Sequence, residues 1–489
     1  MKLVKLLESL GFGLEKDLHP KDVDILGIQK DSRKIKKGDL FVAISGYESD
    51  GHGFIEEAIK NGAVAVVGEM DLSLHIPYIK VADSRIALGQ LANIFYGYPS
   101  RMKKVIGITG TNGKTTVAFM IRHILNSAGK SASLLGTVAY MINNEVYKPE
   151  NTTPDALLLQ ELLSKSQDEF AILEVSSHAL VQGRAEGLEI DYGLFTNLSH
   201  DHLDYHQTMD EYYQAKVSMF DYLKPQGKAV ISVLSDWGER LGNDLDGKGV
   251  PFASLGCKGA HDIVIENIVL NGKTTFTLNT GLHRYEVNLP CPGRHNVYNA
   301  ALAFLAALEI GLAPEEVIHA LEHFPGVPGR FEMVPHPSGA TFIIDYAHTQ
   351  DAIEYCLQAA IDHNARHITH IYGFRGDRDH SKREHMVRAS SGMCDKFILT
   401  FDDLNGIPEE EMKRELTYLN DRFGQEKGSV IPDRTLAIQM AWNQAKNGDW
   451  VIITGKGPEE YKTEFKLPVS SDKEALVYLQ QKSTQEQFA

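Results

Sequence analysis

Residues 107–119 read GITGTNGKTTVAF. A glycine-rich turn ending in Gly-Lys-Thr is shaped for phosphate. The glycines let backbone N–H groups turn toward the anion, the lysine ammonium reaches terminal phosphates, and the threonine hydroxyl can ligate Mg2+. The run KVIGIT (104–109) reads as a strand leading into Gly110-Thr111-Asn112-Gly113-Lys114-Thr115-Thr116. Val117, Met120, Ile121, Ile124 and Leu125 then recur at helical spacing. The loop therefore lies between a strand and a helix N-terminus, whose dipole favours an anion. A chance glycine turn followed by Lys-Thr would lack that context. At GxxGKT the loop is shorter than the common form of about eight residues.

Nucleotide energy must go into some bond, so the carboxylates, histidines and lysines downstream matter. The run FAILEV (170–175) places Glu174 near a strand end, followed by Ser176-Ser177-His178. A carboxylate there can hold Mg2+ beside the phosphates; in isolation it would read as a turn residue. The segment NLSHDHLDYHQT (197–208) gathers His200, Asp201, His202, Asp204 and His206 within seven residues. Such density points to metal. One reading is a zinc hydrolase cluster; the other is a Mg2+ ATPase site in which one histidine is a ligand and the rest are loop residues. Thr208 and Glu211 form a capping-box pattern. On the helix they start, Met209, Tyr213, Lys216 and Phe220 share one face. A lysine on an apolar stripe usually snorkels to water. Burial would instead favour the neutral amine, the form that reacts with CO2 to give a carbamate.

The elements that must position these residues fall into three blocks. Residues 1 to about 100 hold the strands DLFVAI (39–44) and AVAVVG (63–68) around a helical FIEEAIKNG (54–62), after an amphipathic N-terminal helix in MKLVKLLESLGFG. The second block alternates KVIGIT, FAILEV, YGLFTN (192–197) and KAVISV (228–233) with helical stretches, the pattern of a parallel sheet with crossover helices. It ends at the Pro/Gly-rich FPGVPGR (324–330). The third repeats the alternation in TFIIDY (341–346), HITHIYG (367–373), KFILTFDD (396–403) and DWVIITGKG (449–457), with polar residues or glycine at the ends where open α/β sheets bind ligands. The longest apolar run, ALAFLAALEIGL (301–312), is too short to span a bilayer and reads as a buried helix. A net charge of −16 argues against a general nucleic-acid or anionic-membrane binder. The four cysteines form no CxxC pair, which fits a reducing cytoplasm and disfavours a cysteine zinc site.

In order along nearly the whole chain, these runs resemble the Mur ligase family, which uses ATP to join an amino acid to a carboxylate. The motifs that carry the resemblance are DSRKIKKGDLFVAISG (31–46), TGTNGKTT (109–116), NTTP (151–154), LEVSSHALVQGR (173–184), TNLSHDHLDYHQT (196–208), YYQAK (212–216), PGRHNVYNAALAF (292–304), GVPGRFE (326–332), DYAHT (345–349), GDRD (376–379) and GKG (455–457). They resemble most the branch that adds the third residue of the peptidoglycan stem to UDP-N-acetylmuramoyl-L-alanyl-D-glutamate. The resemblance implies an α/β fold of three domains. These are a UDP-substrate domain (1–101), a central ATP-binding domain with a P-loop ATPase-like parallel sheet (102–329), and a C-terminal Rossmann-like amino-acid-binding domain (330–489).

It also implies residue roles. Ser32 contacts the UDP-sugar; Thr152, Thr153, Ser176, Gln182 and Arg184 hold the muramoyl-dipeptide. Residues Gly110 to Thr116 hold ATP, with Lys114, His202 and Lys216 catalytic. Thr115, Glu174 and His202 ligate Mg2+, and Lys216 is carbamylated and positions a second Mg2+. Asn296, Asn299, Arg330 and Asp345 line the nucleotide. Arg378, Asp402, Asp403, Asn405, Gly455 and Glu459 receive the incoming amino acid. Expected cofactors are ATP and Mg2+, and expected partners are the UDP-dipeptide and a free amino acid. Neither nucleic acid nor membrane insertion is expected, and the chain is expected to be a cytoplasmic monomer.

The sequence departs from the family where the added amino acid is read. Relatives that add meso-diaminopimelate carry Asp-Asn-Pro-Arg in a loop whose Arg reads the distal carboxylate. Here the stretch is Asp402-Asp403-Leu404-Asn405, closer to the Asp-Asp-Pro-Asn of lysine-adding relatives. Asn405 cannot make a charge-assisted bidentate contact with a carboxylate, and Asp403 would favour an ammonium. Arg375 stands where the family usually has Gly, and Pro458 where it has His. L-lysine or a similar diamino acid is therefore expected over meso-diaminopimelate. Within the superfamily the rival is a folylpolyglutamate synthase, which should lack the N-terminal block and the LVQGR segment. Outside it, the rivals are the zinc hydrolase and a non-enzymatic, nucleotide-gated interaction protein.

Overall fold

The computed structural model describes residues 1–10, 22–46, 49–203, 205–271, 273–377 and 379–488. By its contacts the chain falls into two compact units. The first comprises residues 1–109, 129–194 and 214–229, and the second 110–128, 195–213 and 230–489.

In the first unit, short aliphatic strands Gly27–Gln29, Asp39–Val42, Ala65–Gly68 and Tyr78–Lys80 pair in chain order, all parallel. Alternation along the strands divides the side chains between two faces. Leu40 and Val42 pack with Leu3, Leu6 and Leu7 of the helix Leu3–Glu8 and with Leu88 and Leu91 of Ser84–Phe95. Phe41 turns to the other face, onto Ile55 and Ala58. Asp83 caps Ser84–Phe95 by accepting from Arg85 N and Ile86 N at 2.8 and 3.0 Å. The N-terminal helix is thus found, while residues 11–13 of its expected stretch lie outside the described residues.

Lys104–Thr109 pairs in parallel with Phe170–Glu174, which pairs in parallel with Ala132–Leu135. Ile190–Phe195 and then Leu223–Ser232 follow on the other side. The parallel reading holds for this centre but not for the margins. Tyr140–Ile142 and Glu145–Tyr147 add antiparallel strands. In the second unit Ile263–Val269, Thr274–Asn279 and Arg284–Leu289 form antiparallel hairpins. Hairpins need only short turns, and Asn271 and the Thr280-Gly281 pair supply turn residues that the sequence reading did not use.

The second unit's six-stranded sheet runs Glu332–Pro335, Thr341–Ile344, Asp449–Ile453, His367–Phe374, Lys396–Phe401, Gly428–Val430, antiparallel at the first pair and parallel thereafter. One face buries Ile343, Ile368, Tyr372, Leu399 and Ile452; the other buries Phe342, Ile344, Ile371, Ile398 and Val451. Asp345, Arg375, Asp402 and Gly455 therefore follow the carboxyl ends of adjacent strands. Beneath them Arg434 and Asp472 form a fully buried two-point ion pair at 2.7 Å, fixing the helix Asp472–Phe488 to Arg434–Gln444. Among the described residues no helix is long and apolar enough to cross a membrane.

His370 lies in the middle of this sheet, fully buried, with Nδ1 2.8 Å from Ser390 Oγ and Nε2 2.9 Å from Thr454 Oγ1. Burial, helped by the Arg434 charge, pushes its pKa down to about 3. In the unfolded chain it titrates near about 6.5. The unfolded state therefore binds more protons between those values, and the stability due to the neutral ring erodes as pH falls through that window. Urea midpoints measured at pH 7 and pH 4.5 should differ less in His370→Gln than in the wild type. An equal difference would remove His370 from the acid sensitivity.

Candidate active site

The strand Lys104–Thr109 ends at the phosphate loop and the helix Lys114–Ser127 begins there. Gly110 and Gly113 have φ of +143° and +85°. A Cβ at Gly110 would sit 1.9 Å from Thr196 Oγ1, and one at Gly113 2.3 Å from Asn299 Oδ1, so neither position admits a side chain. The loop is braced by residues the sequence reading left without a role. Thr196 Oγ1 donates to Asn112 O at 2.6 Å, Asn112 N donates to Asn197 Oδ1 at 2.9 Å, and Ser199 N donates to Thr111 Oγ1 at 3.0 Å. Lys114 Nζ donates to the loop carbonyls of Gly110 and Thr111 at 2.7 and 2.9 Å.

Of the other residues expected on the nucleotide side, Asn299 and Arg330 reach this loop. Asn296 and Asn299 lie on the buried face of Arg294–Ile310, and Asn296 Nδ2 donates to Pro292 O at 2.8 Å. Arg330 Nη2 is 3.4 Å from Thr115 Oγ1, and its guanidinium lies 4.3 Å from the Tyr346 ring centre. Asp345 accepts from Phe331 N and Ala347 N, both at 2.6 Å. It thus anchors the turn that carries Arg330.

In the first unit, the residues expected at the muramoyl-dipeptide form one network. Thr153 Oγ1 donates to Glu174 O at 2.8 Å and accepts from Ser176 N at 3.1 Å. Arg184 Nη1 donates to Thr153 O at 3.1 Å, and its Nη2 to Gln182 Oε1 at 2.7 Å. Glu174 is fully buried and accepts from Thr137 N at 3.0 Å and Thr137 Oγ1 at 2.9 Å; Thr152 Oγ1 lies 3.1 Å from the same Thr137 hydroxyl. Ser32 donates to Glu57 at 2.6 Å, and a Lys30–Asp155 ion pair at 3.0 Å ties its segment to the one that follows Thr153. Lys216 is 1% exposed, so it does not snorkel to water.

In the second unit, Asp201 is a buried hub. His202 Nε2, His348 Nε2 and Lys382 Nζ lie 3.4, 3.5 and 3.4 Å from its carboxylate. Burial pushes Asp201 upward, but the hydrogen bond and charge of His348, with His202 and Lys382, outweigh it and hold the carboxyl well below the usual range. His202 has a left-handed φ of +55°, a conformation that costs a non-glycine residue energy. His206 packs on Tyr212 instead, and His200 is exposed. Among the described residues no three His, Cys, Asp or Glu side chains are grouped to hold a metal, which the zinc hydrolase reading requires; Asp204 lies outside the described residues.

Asp201, His202, His348 and Lys382 line a cavity of about 160 Å3, with Tyr346, Arg375, Asp402 and Gly455 on its other walls. Asp403 lies behind, 2.6 Å from Lys456 Nζ. Asn405 Nδ2 donates to Gly376 O at 2.9 Å, a bond within the turn. Glu459 pairs with Arg375. Arg378 lies outside the described residues.

Three family models match the chain in succession: the Mur ligase family catalytic domain at residues 24–96, the Mur ligase middle domain at 108–307, and the Mur ligase glutamate ligase domain at 329–457. The chain is 38% identical over 470 residues to the UDP-N-acetylmuramoyl-L-alanyl-D-glutamate--2,6-diaminopimelate ligase of Geobacillus thermodenitrificans, covering 94% of this chain and 95% of that one. This chain belongs to the Mur ligase family. The Clostridium tetani protein of the same name is 36% identical over 473 residues, with 94% and 95% covered. A solved UDP-N-acetylmuramoyl-L-alanyl-D-glutamate--2,6-diaminopimelate ligase structure matches with TM-score 0.68 and 28% identity, covering 94% of this chain and 95% of its own. The MurF ligase of Thermotoga maritima in complex with ADP matches in fold, at TM-score 0.66 and 20% identity, with 94% and 98% covered. Folylpolyglutamate synthase structures, such as the Mycobacterium tuberculosis ADP complex, cover only 76% of this Mur ligase, with 91% of their own chain covered, at TM-score 0.60 and 19% identity.

As a Mur ligase the chain has the three-domain α/β architecture of the family. It is an ATP-dependent ligase of the acid–amino-acid class, with ATP and Mg2+ as cofactors. The residues the sequence reading missed, Thr196, Asn197, Tyr346, His348 and Lys382, are polar or aromatic groups at strand or helix ends. Thr196 and Asn197 lie within TNLSHDHLDYHQT and Tyr346 and His348 within DYAHT, motifs already singled out, while Lys382 follows GDRD.

Replacing Lys114 by Ala removes the charge that the phosphate-loop reading assigns to the phosphates, and should abolish ATP-dependent ligation, with kcat down by at least about 10²-fold. Circular dichroism and the thermal midpoint should stay close to wild type. A folded variant with near-normal turnover would refute the loop assignment.

Proposed function

We propose that this Mur ligase adds a diamino acid to UDP-N-acetylmuramoyl-L-alanyl-D-glutamate, with ATP converted to ADP and phosphate, in the synthesis of peptidoglycan precursor. The observation that carries this reading is similarity over 94% of the chain to relatives named for that substrate, together with an intact phosphate loop. The D-glutamate side-chain carboxylate attacks the γ-phosphate and ADP leaves. The amine of the incoming amino acid then attacks the acyl phosphate, and the tetrahedral intermediate expels phosphate to leave an amide. Positioning and electrostatics dominate such steps. Lys114 spreads charge on the transferring phosphoryl group, Arg330 lies beside Thr115 to do the same, and Asn296 and Asn299 hold the loop and nucleotide side.

Mg2+ takes oxygen ligands. The Thr115 hydroxyl and the Glu174 carboxylate would meet that demand, and His202 would add a nitrogen ligand. When bound, the metal neutralises phosphate charge. Thr152, Thr153, Ser176, Gln182 and Arg184 receive the muramoyl-dipeptide, and Ser32 the UDP-sugar. Residues 1–101, 102–329 and 330–489 serve as the UDP-substrate, ATP and amino-acid domains. We place the reaction in the cytoplasm, in keeping with four free thiols, and read the enzyme as a monomer.

The charge argument for L-lysine weakens at this site. Asp403 is buried beside Lys456, whose ammonium it shares with Asp402, so an ion pair already occupies one of its oxygens. Offering L-lysine, meso-diaminopimelate and other amino acids with ATP, Mg2+ and the UDP-dipeptide, and weighing the product, tests the whole reading. A diamino acid should be incorporated. Incorporation of none, or transfer to a folate in place of the UDP-dipeptide, would overturn it.

Lys216 is read as a carbamate. Its burial disfavours a solvated ammonium and favours the neutral amine, the form that reacts with CO2. Lys216→Ala should be nearly inactive and partly rescued by formate or acetate. High-resolution density of the ATP–Mg2+ complex with an unmodified Lys216 would overturn this assignment.

A further inference from the structure

Arg330 differs from the other arginines of its unit's sheet in what holds it. Arg375 is ion-paired with Glu459 and has Asp402 at 3.8 Å. Arg383 pairs with Glu415 at 2.5 Å, and Arg434 with Asp472 at 2.7 Å. Among the described residues no carboxylate is ion-paired with Arg330. Its Nη2 lies 3.4 Å from the Thr115 hydroxyl, its Nε is buried without a hydrogen-bond partner, and its guanidinium stands 4.3 Å from the centre of the Tyr346 ring. An aromatic face thus takes the place that a carboxylate takes at the other three.

Backbone and side chain of Arg330 are fixed from adjacent positions. Asp345 accepts from Phe331 N at 2.6 Å and so holds the turn, and the next residue in the chain supplies the ring. The choice of a ring has a chemical consequence. A carboxylate in its place would cancel the guanidinium charge and repel a phosphate arriving beside Thr115. The face of a phenol ring attracts a cation through its quadrupole yet carries no net charge. It holds the guanidinium without neutralising it, and the attraction is strongest where water is excluded.

We propose that Tyr346 is the positioning residue for Arg330: its ring holds the guanidinium beside the phosphate loop with its charge intact for the transferring phosphoryl group. The inference rests on the reading that Arg330 acts on that group. The same ring has Arg375 at 5.6 Å from its centre. That contact is longer, and Arg375 has Glu459 and Asp402 to hold it, so Arg330 is the guanidinium that depends on the ring.

The test is steady-state ligation by the full chain with Mg2+ and saturating UDP-dipeptide and amino acid, ATP being varied. Tyr346→Leu should lower kcat by roughly 10- to 50-fold, the range of one desolvated cation–π contact. Tyr346→Phe keeps the face and should lose less. Phenylalanines with one, two and three ring fluorines at position 346 drain the face of charge with little change of shape. The logarithm of kcat should fall steadily with each fluorine, a trend that a packing role would not produce. Tyr346→Leu should cost little more once Arg330→Met is in place, and its full loss when combined with Arg375→Met. A flat fluorine series, or losses from Tyr346→Leu and Arg330→Met that multiply in full, would overturn this inference; if Arg330→Met alone is strongly impaired, the reading of Arg330 still stands. Wild-type kcat in Arg330→Met would overturn that reading and this inference with it.

Discussion

The nucleotide half of this enzyme depends on one steric constraint: the backbone at Gly110 and Gly113 runs so close to Thr196 and Asn299 that no Cβ fits. Close approach lets a six-residue turn be pinned from two sides, by the hydroxyl and amide groups of residues 196–199 and by the helix that carries Asn296 and Asn299. A loop pinned in this way presents its N–H groups without having to organise when phosphate arrives, which is where electrostatic catalysis gains most. Substitutions at either glycine would therefore act on the braces as well as on the loop.

Charge is handled differently at the cavity. Asp201 is kept ionised in a buried setting by two imidazoles and an ammonium contributed from three separate stretches of chain. That arrangement fixes His202 and His348 relative to Lys382 through a single carboxylate. The strained φ at His202 is affordable because the hub over-determines the position of the residue.

Much of this was legible in the sequence. KVIGIT coincides with the strand Lys104–Thr109, the helical spacing after Lys114 marks the helix that follows, and the capping-box pattern of Thr208 and Glu211 is realised by Glu211 N donating to Thr208 Oγ1 at 3.1 Å. These are local signals, set by neighbours a few residues apart. The pairings that define the cavity are not local: Arg375 and Glu459 lie 84 residues apart, Lys382 and Asp201 181. No spacing rule brings such groups together; the strand order of the sheet does. Asp403 illustrates the cost. Read alone it is a free anion, and the ammonium that pairs with it, Lys456, lies 53 residues away.

The division of the chain has a consequence for how the molecule can be made. The first unit is assembled from three separated stretches, the last being residues 214–229, and the second begins at residue 110. On a ribosome, the first unit stays incomplete until residue 229 has emerged, by which point the phosphate loop has its partners at 196–199 but not yet Asn299. Neither unit can be excised as one continuous fragment or exchanged between genes by a single crossover.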